Sequence, residues 1–105
     1  MDAAAFFSSI DDEQAAARLA GPLLALWHDA RGDWGRAHAI VQAEASARAA
    51  RVHAYLHRKE GDLLNASYWY QRAGVQPPQC SLDSEWRELA LALLAVPTGE
   101  GALDA

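Results

Sequence analysis

The sequence predicts an all-α domain of five to six short helices, paired as antiparallel hairpins. Three observations predict it. Alanine is abundant and β-branched residues are few: Ile10, Ile40, Val41, Val52, Val75, Val96 and Thr98 are the whole set in 105 residues. That composition favours helix over strand. Apolar residues recur at three- and four-residue spacing along most of the chain, the period of a helix with one buried side. Glycine and proline fall mostly between these segments, and no stretch reads as a strand pair.

Each element follows from its own signals. Ser9 and Asp12 form an approximate capping box behind Phe6 and Phe7, which predicts a helix over about 10–20. Gly21-Pro22 breaks it, and Pro22 suits the first turn of a helix over about 22–31 that buries Leu23, Leu26, Trp27 and Ala30. Gly32 ends that helix and Asp33 caps the next, over about 33–43, with Trp34, Ala37, Ile40 and Val41 inward. A break near Glu44–Ser46 is expected, with Ser46 as cap, although no glycine or proline marks it; one continuous helix is the competing reading. The helix to about Glu60 buries Ala49, Val52 and Leu56, and sets Arg48, Arg51, Tyr55 and Arg58 on its other side. Gly61-Asp62 repeats the break and cap. The helix over about 62–74 buries Leu63, Ala66, Trp69, Tyr70 and Ala73. Pro77-Pro78 makes a loop. Ser81 or Asp83 caps a last helix over about 82–96, and a disordered tail is expected over 97–105.

The bulk numbers exclude several classes. The length suits one domain, residues 1–105. A net charge of −5 argues against a general nucleic-acid or anionic-membrane binder. The charge is uneven, however. Residues 31–72 hold seven basic and four acidic side chains, so the middle is +3 and the two ends together −8. A local anion site is compatible with that. Cys80 is the single cysteine, so no intrachain disulfide forms. The first residues lack the basic and apolar regions of a signal peptide, and no apolar run spans a bilayer. The expectation is a cytoplasmic protein that binds neither membrane nor nucleic acid.

HDARGDWGRAHAIVQ, from His28, aligns with HRKEGDLLNASYWYQ, from His57, at a constant offset of 29 residues. Gly32 pairs with Gly61, Asp33 with Asp62, Ala37 with Ala66 and Gln42 with Gln71. Two hairpins of one design, over about 22–44 and 46–74, account for the repeat. GDLLNASYWYQRAGVQPP resembles the second helix of a tetratricopeptide or Sel1-type repeat, with Gly61, Ala66, Tyr70, Ala73 and Pro78 at the family's spacing. GDWGRA, 32–37, resembles the start of the same pattern. The resemblance implies tetratricopeptide-like stacking and a protein-binding role. The first helix of each unit departs from it, and the period is shorter than the family's, about 34 residues. HAYLHRKEGDLLNASYWYQRAG is also similar to a stretch in small bacterial and fungal helical proteins of no assigned function, which supports the fold and transfers no chemistry.

The chemistry concentrates in three histidines. His53 and His57 are four apart, on one side of a helix, as paired zinc ligands are. HAYLH lacks the internal glutamate of the HExxH proteases. A turn near residue 45 brings His38 level with about residue 52, so His38, His53 and His57 converge at a core edge with Glu60 near. Asn65 then comes level with His57. An unbroken helix over 33–60 instead holds His38 more than about 20 Å from His53. Three readings stay open. The histidines are structural and hydrogen-bonded; or His38, His53, His57 and Glu60 or water bind a divalent metal such as zinc; or His38, His53, His57, Arg58 and Asn65 form a pocket for a small anion or for acid–base chemistry.

Leu64 and Tyr68 fall opposite the buried side of their helix, as an interface would. The leading expectation is a non-catalytic interaction module that binds a protein partner or itself and needs no cofactor. The alternative is a small-ligand, anion or metal-binding protein or enzyme that uses the histidine cluster.

Overall fold

The structure is a computed structural model, and it describes residues 1–95. The expected tail over 97–105 lies outside them. The described residues form six α-helices and two short 3-10 helices, with no strand: α1 Ala3–Ser8, α2 Gly21–Ala30, α3 Trp34–Gln42, α4 Ala47–Glu60, α5 Leu63–Ala73 and α6 Leu82–Ala95, with the 3-10 turns at Ser9–Asp11 and Glu13–Arg18. No described helix is long and apolar enough to cross a membrane.

The two central turns share one geometry. Gly32 and Gly61 take φ of 85° and 89°, a left-handed conformation that a Cβ penalises. Each glycine N–H donates back into the helix it ends, to Asp29 O at 2.9 Å and to Arg58 O at 3.1 Å. Asp33 and Asp62 then cap the next helices through the N–H groups of Arg36 and Asn65. The break between α3 and α4 is present, and the Ser46 hydroxyl caps α4 by accepting from Ala49 N–H. Ser81 caps α6 at Ser84 N–H.

α4 is the central element. Val52, His53, Ala54, Tyr55, Leu56 and His57 are all buried, because α2, α3, α5 and α6 pack around it. This corrects the place expected for Tyr55. α6 covers the side where Tyr55 stands with the arginines, and Tyr55 belongs to the core. Indole N–H groups tie the elements together. Trp27 donates to Ser9 O, Trp34 to Leu56 O and Trp86 to Leu26 O.

The chain before residue 21 departs from expectation. The α-helix lies earlier, at Ala3–Ser8, and Asp2 caps it. Ser9 is no cap: its hydroxyl donates to Phe6 O. Asp12 is extended, and its carboxylate accepts from Gln14 N–H and restarts the chain as a 3-10 helix. Phe6 is fully buried and stacks on Trp86 of α6. A pairing eighty residues apart sets this segment, and local signals carry no trace of it. Ala30 is exposed, and Leu63 is 66% exposed instead of buried.

Candidate metal centre

The hairpin from α3 to α4 brings the histidines together. One ring nitrogen from each of His38, His53 and His57 lies within 4.8 Å of the other two. His38 Nε2 and His53 Nε2 are 3.1 Å apart, close enough that one donates to the other. The ring centroids of His57 stand 5.1 Å from His38 and 4.9 Å from His53. His53 and His57 are buried, and His38 is half-buried at the rim.

Two tryptophans wall the cluster. Trp34, one turn before His38 on α3, stacks on it at 4.8 Å and 8°. Trp69 of α5 stacks on His53 at 3.9 Å and 15°. Trp34 also meets the His57 ring edge-on. Four tryptophans stand in the chain, and the three clustered histidines touch two of them. The Trp34–His38 contact was legible as a four-residue helical spacing. Trp69 was expected in the core, and nothing local marks it as a histidine's neighbour.

Burial favours the neutral imidazole at His53 and His38. Burial first, then the nearby His38 and His57, push the His53 pKa down to about 4. Burial first and His57 next lower His38 as well, against a smaller opposing pull from Glu60. His57 Nδ1 meets Glu60 Oε2 at 2.7 Å. His53 Nδ1 is buried without a hydrogen-bond partner among the described residues, an uncommon state for a buried polar atom.

Other expected site residues go elsewhere. Arg58 is not at the cluster. It donates to Glu85 Oε1 at 2.7 Å and to Cys80 O, on the α6 side of α4. Its position on the helix sends it away from His53 and His57, so it cannot hold an anion among them. Asn65 turns to Asp62, with Nδ2 3.4 Å from Oδ2. Leu64 and Tyr68 are 88% and 49% exposed on the outer side of α5, and Arg72 donates to the Tyr68 hydroxyl.

Two polar networks escaped the sequence reading. Asp29, buried at the end of α2, accepts from Lys59 Nζ at 3.0 Å and Tyr55 OH at 3.2 Å. Glu85, buried on α6, accepts from Arg58 and from Tyr70 OH at 2.6 Å. Burial first, then those carboxylates, raise the pKa of Tyr55 and of Tyr70. A cavity of about 510 Å³ borders Asp29, Tyr55, Lys59 and Trp86. The histidines do not line it. Both Asp29 oxygens in its wall are already engaged, so the chemistry points to the histidines instead. Comparison with protein-family models, curated proteins and solved structures finds no match.

Proposed function

We propose that this is a small helical metal-binding protein that holds a divalent ion of the zinc class through His38, His53 and His57. The observation that carries the reading is the convergence of three imidazoles from two helices. Neutral imidazole is the form that binds metal, and burial holds His53 and His38 toward it. Nitrogens bound to one tetrahedral ion at about 2.0–2.1 Å sit roughly 3.3 Å apart. His38 Nε2 and His53 Nε2, at 3.1 Å, need only a slight opening. His57 lies within 4.8 Å of both and needs a modest approach. Three nitrogens leave one coordination position for water or a further ligand. The single cysteine, Cys80, is free, which fits a reducing compartment such as the cytoplasm.

The test is calorimetric titration of the chelator-treated, tag-free chain with Zn2+. Micromolar or tighter binding is expected at one site, lost in the His53→Gln, His57→Gln double variant. His38→Gln, at the half-buried rim, is the second control should the double variant unfold. Absent binding, or binding that survives these substitutions, would reject the reading.

A second reading, an interaction module, rests on α5. Leu63 and Leu64 are 66% and 88% exposed, and Tyr68 is 49% exposed on the same helix. Neighbouring exposed leucines on a small domain favour a protein contact. The tetratricopeptide-like pattern of Gly61, Ala66, Tyr70 and Ala73 leans the same way. Self-association through this helix is the form of the reading put to test. Sedimentation velocity should show a dimer that Leu64→Glu dissociates. A monomer at every concentration up to the millimolar range would exclude it.

A further inference from the structure

We infer that Glu60 is a positioning residue for His57 and not the fourth ligand of the histidine site. The inference rests on the metal reading above.

Glu60 closes α4, three residues after His57, and its carboxylate reaches back to that ring. Oε2 stands 2.7 Å from His57 Nδ1. A neutral imidazole carries one N–H and one lone pair, and an ionised carboxylate can only accept. The proton of His57 therefore sits on Nδ1, where it donates to Glu60. The lone pair is left on Nε2. His38 and His53 also face each other through Nε2. Glu60 thus settles which nitrogen is free to bind on His57, the ring with the longer centroid distances to the other two. Trp34 meets the His57 ring edge-on at 65° and limits its rotation.

The position of Glu60 argues against ligation. Its carboxylate groups with His57 and Asp62 within 4.8 Å. Among the described residues, no such grouping joins it to His38 and His53. Entering the metal's inner shell would break the bond to Nδ1 and release the ring that bond orients. A carboxylate behind a ligating histidine also raises the basicity of that ligand.

The experiment uses the full, chelator-treated chain with Zn2+ for affinity and Co2+ for ligand geometry. Glu60→Ala is expected to weaken Zn2+ binding roughly 10–100-fold while the Co2+ absorption band keeps its wild-type position and intensity. Glu60→Gln is expected to recover part of the loss, because its amide oxygen still accepts from Nδ1–H. If Glu60→Ala unfolds, Glu60→Gln carries the test with the same two readouts. Unchanged Zn2+ affinity would overturn the inference. A displaced Co2+ band would overturn it too, because it marks a lost ligand. Failure of the wild-type chain to bind metal, or equal binding after His53→Gln, would instead overturn the metal reading itself.

Discussion

Glu85 is 3% exposed on α6 and faces donors from two other helices, Arg58 of α4 and Tyr70 of α5. Both bonds are short, at 2.7 and 2.6 Å. A buried carboxylate is costly to desolvate, so the pair adds little over an apolar contact of equal shape. Removing one partner is different, because it strands the other. Glu85→Ala leaves the guanidinium of Arg58 at a half-buried site and the Tyr70 hydroxyl in the core without an acceptor. The expected loss is about 3 kcal/mol, at the lower end of the range for broken buried pairs because Arg58 keeps some contact with water. Glu85→Gln keeps an acceptor and should lose less. Urea unfolding of the two variants checks this. A loss in Glu85→Ala below about 1 kcal/mol, the scale of a surface pair, would show that the network is dispensable.

At the scale of elements, legibility follows distance along the chain. Gly32-Asp33 and Gly61-Asp62 were readable because a left-handed glycine and a capping aspartate act on backbone within four residues of themselves. Ser46 was readable for the same reason, and that one cap brings the three histidines into one place. The convergence of His38, His53 and His57 followed from helical spacing plus one turn. The segment before residue 21 failed because its α-helix is held by Phe6 against Trp86, and Asp12 prefers its own backbone turn to a continuous helix. Leu63 failed differently. It follows the capping Asp62 directly, and in the first turn of α5 both it and Leu64 face outward. Tyr55 and Arg58 sit on a side of α4 that looked solvated by charge count. The positions of α6, with the buried Glu85, and of α2, with the buried Asp29, turn Tyr55 and Arg58 inward. Partners 26 to 30 residues apart, such as Tyr55–Asp29 and Lys59–Asp29, leave no periodic trace.

At the scale of the whole molecule, the histidine cluster makes folding depend on pH. The central helix buries His53 between Trp69 and two other imidazoles, and its folded pKa falls to about 4 from an ordinary value of 6.5. Between those two values the unfolded chain binds a proton that the folded chain refuses. Stability therefore rises with pH across this window. The contribution is complete above about pH 6.5, declines as pH falls toward 4, and is spent below that. A gap of this size corresponds to about 3 kcal/mol, at 1.36 kcal/mol per pH unit. His38 is shifted in the same direction and adds to the slope. For a domain whose total stability is about 5–15 kcal/mol, that is a substantial fraction. Metal-free protein should therefore show urea midpoints that fall steadily between pH 6.5 and 4. His53→Gln, which has no proton to gain at that position, should be less stable at pH 7 but should lose about 3 kcal/mol less on the way down. Parallel curves for the two proteins would mean that the unfolding of this fold is not linked to His53. Acid sensitivity would then have to come from groups outside the histidine cluster.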